Sequence, residues 1–148
     1  MTGLMPNSAC TPRTAAPERL LGENFGLPSD IWSLACTIFQ LVSGKELFND
    51  QSDSPQMVLL EIMEVLGNPS EDWWLRWEKA ARDLAVTRPD GADCNKGPEK
   101  LDEMIDGLDD ETIDKDLLNN MLKRMLTWEP EDRLSIEGVQ EHAWFRSL

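Results

Sequence analysis

The sequence predicts an all-α fold on three observations. Apolar residues recur at three- and four-residue spacing in several segments, and those segments are bounded by residues that start or stop helices. No stretch alternates apolar and polar residues as a half-buried strand would, and no internal repeat is present.

In chain order, residues 1–17 carry Pro6, Pro12 and Pro17 with little periodicity, which predicts a looped lead-in. Pro17-Glu-Arg-Leu-Leu21 fits a helical turn with proline at its first position, where a missing N–H is harmless. Residues 22–28 loop into the central helix, residues 29–44, with Pro28 just outside and Ser29 or Asp30 as N-cap. Gly44 is placed for the left-handed position that ends it. Ile31, Trp32, Leu34, Ala35, Cys36, Ile38, Phe39, Leu41 and Val42 surround this helix on nearly every side. A helix apolar all round is buried or crosses a membrane, and this one is too short to cross. It is therefore expected to be the buried centre of a globular domain.

Ser54-Pro55 opens a second helix whose apolar face is Val58, Leu59, Ile62, Met63, Val65 and Leu66, ended by Gly67 and Pro69. Ser70 starts a third, with Glu71 and Asp72 suited to the positive end of the helix dipole. Trp73, Trp77, Ala80, Ala81 and Leu84 recur along it at helical spacing. Residues 87–100 hold Pro89, Gly91, Gly97 and Pro98 and read as a surface loop. Residues 99–116 are dense in acids, with Leu101, Met104, Ile105, Leu108 and Ile113 as anchors. Leu117, Leu118, Met121, Leu122, Met125 and Leu126 form a clear helical stripe, which Pro130 is expected to end. Ser135 can cap a closing helix carrying Ile136, Val139, Trp144 and Phe145.

A chain of 148 residues is expected to form one domain. Its six Trp and four Phe favour a packed core over disorder. A net charge of −14 argues against nucleic-acid or anionic-membrane binding and leaves basic proteins as compatible partners. Cys10, Cys36 and Cys94 are odd in number and lack metal-ligand spacing, which with Cys36 in the apolar helix fits a reducing cytoplasmic or nuclear setting. No secretory signal is visible at the N-terminus.

Three blocks in order resemble the second half of a eukaryotic protein kinase catalytic domain. Thr11-Pro-Arg-Thr-Ala-Ala-Pro-Glu18 resembles the end of the activation segment with its Ala-Pro-Glu motif. Ser29-Asp-Ile-Trp-Ser-Leu-Ala-Cys36 resembles the start of the large helix of the C-terminal lobe. Glu129-Pro-Glu-Asp-Arg-Leu-Ser135 with His142-Ala-Trp-Phe145 resembles the closing region, where the family usually has His-Pro-Trp-Phe. Leu66-Gly-Asn-Pro69 and the long insert after it are similar to the CMGC group, and Trp73, Trp74 and Trp77 resemble fungal kinases related to the SR-protein kinases. That group commonly has Tyr-Arg before Ala-Pro-Glu, where this chain has Thr14-Ala15.

The resemblance implies a helical C-lobe subdomain spanning residues 1–148, a partial kinase domain without the N-lobe and catalytic loop. Residues 1–28 would end the activation segment, 29–44 form the central helix, 54–116 a helix plus insert and 117–148 the closing helices. It pairs Glu18 with Arg133 as a structural tie; the plain alternative is two unrelated surface charges. It counts Ala16, Pro17 and Trp32 as structural too. Asp30 in the family holds the backbone of the catalytic loop, and helix capping is the alternative here. Thr11 matches a substrate-side threonine of Ser/Thr kinases, or is an ordinary loop residue. The acidic residues 99–116 are a docking site for Arg-rich substrates or, more simply, a solvated charged face. The tryptophans read as core packing before they read as a ligand cage.

Phosphoryl transfer needs a Gly-rich phosphate cover, a lysine, magnesium-binding acids and a catalytic aspartate. The sequence contains no Gly-x-Gly-x-x-Gly, no Val-Ala-Ile-Lys-like strand and no His-Arg-Asp, its one histidine being followed by Ala143. Asn24-Phe-Gly26 mimics Asp-Phe-Gly but follows Ala-Pro-Glu and lacks the carboxylate. In kinases these parts precede the region matched here. No catalytic, cofactor-binding or metal-binding residue is therefore assigned, and ATP and magnesium are implied only for a full-length parent. The expectation is part of a Ser/Thr kinase, inactive as this isolated chain and marginally stable, or a non-catalytic helical interaction module.

Overall fold

A computed structural model of the chain describes residues 11–23, 26–49, 51–52, 54–82 and 99–148. Among the described residues the order is α1 (Pro17–Leu20), α2 (Leu27–Ser43), α3 (Pro55–Leu66), α4 (Glu71–Arg82), α5 (Glu99–Asp106), α6 (Lys115–Met125), α7 (Ile136–Glu141) and α8 (Ala143–Arg146). Short 3-10 turns cover Pro12–Thr14 and Pro130–Asp132, and no strand occurs among the described residues. The fold is all-α, as the sequence predicts. Most of the expected lead-in, the Asn24-Phe25 pair, Leu84, Cys10, Cys94 and the body of the 87–100 loop lie outside the described residues. Glu99 and Lys100, assigned to that loop by sequence, open α5 instead.

The start of α2 differs from expectation. Gly26 is its N-cap and Pro28 sits inside the first turn, where the N–H it lacks would have had no helical partner. Ser29 is not the cap, because it lies inside the first turn, past the cap position, and its hydroxyl donates to the buried Glu18 carboxylate, Oε1 at 2.6 Å. Asp30 makes no capping bond either, and lies exposed in the first turn. Gly44 closes the helix at φ 71°, its N–H donating to the Gln40 carbonyl at 2.8 Å.

Burial of α2 is also less than all-round. Ile31, Trp32, Ala35, Cys36, Ile38 and Phe39 are buried, whereas Leu27 is 77% and Leu41 80% exposed. Leu27, Asp30, Leu34, Thr37 and Leu41 recur at helical spacing and make one face of α2 that the described residues leave largely open, Leu34 alone being half-buried. Hydrophobicity by itself does not distinguish this face from the covered one, because three of its five residues are leucine.

On the covered side, α6 packs against α2 and α5, and α5 packs against α3. Val58, Leu59, Ile62, Met63 and Val65 of α3 meet Leu101 and Ile105 of α5 and Leu118, Met121, Leu122 and Met125 of α6 in one core. Each such side chain contributes about 1.5–3 kcal/mol by leaving water. The acidic α5 is held to α6 at its polar edge, where Asp102 accepts from both Asn119 and Lys123. Asp114 starts α6, its carboxylate accepting from the Leu117 N–H at 3.0 Å.

The chain's end departs from the predicted boundaries. α6 stops at Met125, because Leu126 leaves helical geometry, and Pro130 opens a 3-10 turn instead of ending the helix. Ser135 caps α7 as expected, accepting from the Gly138 N–H at 3.1 Å. The closing segment is two helices, broken where His142 takes extended geometry and caps α8.

Candidate functional site

Three chain segments converge on Arg133, which ends the second 3-10 turn. Its two terminal nitrogens donate to Glu18 as a parallel pair, Nη1 to Oε1 at 2.8 Å and Nη2 to Oε2 at 2.9 Å. The remaining donors reach backbone carbonyls: Nη1 to Pro28 at 2.9 Å, Nη2 to Trp128 at 3.3 Å and Nε to Thr127 at 2.9 Å. A guanidinium has five N–H groups in a fixed fork, and all five are used here. Its plane also lies over the Trp32 ring, 5.1 Å from the centroid. Both charged side chains are buried. Burial works against the Glu18 charge, but the Arg133 guanidinium and the Ser29 hydroxyl outweigh it and hold the carboxyl below its usual range.

Around this hub, Ala16 is fully buried and Pro17 starts α1 at the N-terminal side of Glu18. Trp32 is buried and stacks on Phe48, ring centroids 5.8 Å apart. Thr11 lies away from the hub, exposed at the start of the first 3-10 turn, its hydroxyl 3.4 Å from that of Thr14. The segment between is strapped down twice. Arg13 pairs with Glu46 at 2.7 Å, and Ser33 of α2 donates to the Thr14 carbonyl at 2.8 Å. Asp30 stands on the open face of α2 and makes no side-chain hydrogen bond to a described residue.

Sequence reasoning missed Arg76 altogether. It spans Glu23 and Glu129, each at 3.1 Å, and so joins α4 to the segment after α1 and to the segment after α6. Ser70 reaches the same Glu129, Oγ to Oε1 at 3.1 Å, while accepting from the Trp73 N–H. Beside this junction Trp73, Trp74 and Trp77 pack on one another, and Trp128 adds a fourth ring 4.7 Å from Trp73. Trp73, Trp74 and Trp77 are buried and Trp128 is half-buried against them, so the rings fill the core and do not line an open cage.

A groove of about 840 Å³ opens between the end of α2, α3 and α5. Asp109 and Asp110 line it, joined by Glu103 and, from elsewhere in the chain, by Glu46 and Glu61. Lys45 and Lys100 lie along the same walls, so carboxylates outnumber amines. Glu46 is engaged by Arg13, Lys100 by Glu64 outside the groove, and Glu61 accepts from the Asn49 N–H. Asp110 accepts from the Thr112 hydroxyl and N–H, which hold its carboxyl below the usual range. Among the described residues no group of three or more His, Cys, Asp or Glu stands where it could hold a metal ion, and no helix is long and apolar enough to cross a membrane.

Comparison with known proteins places these features. Residues 2–145 match the family model described as protein kinase domain. Similar curated proteins include cyclin-dependent kinase B2-1 of Oryza sativa subsp. japonica, 32% identical over 90% of this chain and 36% of its own length. The cell division control protein 2 homolog 3 of Trypanosoma brucei brucei is 33% identical over 88% of this chain and 38% of its own. The dual specificity tyrosine-phosphorylation-regulated kinase mbk-2 of Caenorhabditis briggsae is 31% identical over 88% and 18% respectively. The chain thus spans well under half the length of each of these relatives.

Proposed function

Because the chain belongs to the protein kinase domain family, we propose that its 148 residues serve as the helical, substrate-side portion of a CMGC-like Ser/Thr protein kinase and do not catalyse phosphoryl transfer on their own. The observation that carries this reading is the buried Glu18–Arg133 fork, which ties the Ala-Pro-Glu segment to the closing helices. The residues present do not fit Mg-ATP. No Gly-rich loop occurs in the sequence, and no acidic group among the described residues is arranged for a metal. In the parent kinase, ATP and magnesium would be held by residues other than these. The open face of α2, with Asp30 between Leu27 and Leu34, supports a role as the bed for a catalytic loop. By the same reading Thr11 stands beside the catalytic aspartate of a parent kinase, below the substrate's next residue, and favours Ser/Thr over Tyr. The buried thiol of Cys36, which forms no disulfide, fits a cytoplasmic or nuclear location.

The purified 148-residue chain, given Mg-ATP and a basic Ser/Thr peptide, is expected neither to bind nucleotide by calorimetry nor to transfer phosphate. Peptide phosphorylation by this chain would overturn the reading.

The protein partner proposed for the acidic groove is a basic segment, as similarity to SR-protein-kinase-related kinases implies and as its surplus of carboxylates supports. These charges are exposed to water and salt, so each is expected to contribute only weakly and the effect to come from their sum. The combined Asp109→Asn, Asp110→Asn and Glu111→Gln variant is expected to bind an Arg-rich peptide more weakly, with a flatter salt dependence. Unchanged binding would leave these acids as a solvated face.

A further inference from the structure

His142 is the only histidine in the chain, and its ring is used at both nitrogens. Nδ1 accepts from the backbone N–H of Trp144 at 3.2 Å and thereby caps α8. A nitrogen that accepts cannot carry a proton, so the ring proton is on Nε2. Nε2 in turn lies 2.9 Å from Asn120 Oδ1 on α6, an atom that can only accept. Both bonds therefore require one species, the neutral Nε2–H tautomer. α8 is a four-residue helix whose buried anchor is Trp144, and it packs against α6. Too short to persist alone, it depends on such ties.

We propose that His142 is a proton-sensitive latch, holding α8 against α6 while neutral and releasing it when protonated. A proton added at Nδ1 would face the Trp144 N–H, donor against donor, and abolish the cap. The Asn120 bond would survive, so α8 loosens at its N-terminus first. The route for the proton is a groove of about 600 Å³ that His142 lines with Asn120, Arg124, Leu134 and Glu141. The charged groups lining the groove with the ring are Arg124 from α6, which opposes protonation, and Glu141 from α7; Arg146 lies on α8 itself. Burial, and secondarily Arg124, hold the imidazole below its ordinary range, so the latch is closed near neutrality and opens in mild acid. Linkage has the same sign: the contribution to stability is present above the unfolded value near about 6.5 and is lost as pH falls through the folded one.

A single histidine makes the test direct, because its ring resonances are unique in the NMR spectrum of the whole chain. The ring nitrogens are expected to report the Nε2–H tautomer at neutral pH and a midpoint below that of a free histidine. Across that midpoint the hydrogen-exchange protection factor of the Trp144 amide should drop roughly five- to tenfold, as for loss of one N-cap. His142→Asn supplies a cap acceptor that does not titrate, and should keep Trp144 protected with no step in acid. A ring titrating at or above the free value would overturn the proposal, as would an Nδ1–H tautomer. So would an acid step in Trp144 protection that persists in His142→Asn.

Discussion

Arg133→Ala is expected to destabilise the chain by about 3–5 kcal/mol, because it leaves the Glu18 carboxylate buried without its partner. The loss is larger than for an exposed pair, since neither side chain has water to fall back on. Arg133→Lys should recover little. An ammonium can oppose the charge, but it cannot give two parallel bonds to Glu18 and also serve the carbonyls of Pro28, Thr127 and Trp128. Removing both charges in Glu18→Ala/Arg133→Ala should cost less than the sum of the single changes. Urea titration of the four proteins checks this, and simple additivity would mean that the pair is not coupled. The dependence on pH follows the same logic. The folded Glu18 carboxyl sits below its unfolded value, so its contribution is present above about pH 4.5 and disappears as pH falls toward the folded value. Glu18→Gln should lose that acid-dependent part of the stability curve.

Trp73→Ala is expected to cost about 3–5 kcal/mol, the usual range for emptying an aromatic site in a core. Trp73 touches three other indoles, and edge-to-face pairs add about 0.5–1.5 kcal/mol beyond burial. Trp73→Phe keeps part of the volume and should lose less than half as much. The urea midpoint of each variant decides the matter: a Trp73→Ala cost below about 1 kcal/mol would mean that α4 is not anchored through this ring. The change should also loosen Arg76 from Glu23 and Glu129, because α4 is what presents it.

Helix content was legible in the sequence where capping and periodicity agreed. α3 begins at Pro55 and ends before Gly67, and α7 begins after Ser135, where the punctuation places them. The start of α2 was not legible, because Ser29 and Asp30 both look like caps, whereas Gly26, which takes that place, has no side chain to mark it. The open leucine face of α2 was hidden for a related reason: hydropathy records what a residue would prefer to bury, not what is there to bury it. For the site, the motifs pointed to Glu18 and Arg133, but the carbonyls that complete the fork carry no side-chain signal. Arg76 was missed because its two partners lie 53 residues away on either side and nothing local marks it. His142 was noted only as a motif remnant; that it caps a separate helix follows from its backbone leaving helical geometry.

The Glu18–Arg133 fork closes a span of 115 residues. Loop-closure entropy grows only as about (3/2)RT ln n, yet the whole of it must be met before two such distant groups reward each other. Local helices and the α3–α5–α6 contacts have much less chain to close and are expected to form first. The fork would then be a late event, absent from the rate-limiting ensemble, and its removal would be felt as faster unfolding with nearly unchanged refolding. On that view the tie acts as a fastener and not as a nucleus: it sets how long the chain stays folded more than how readily it gets there.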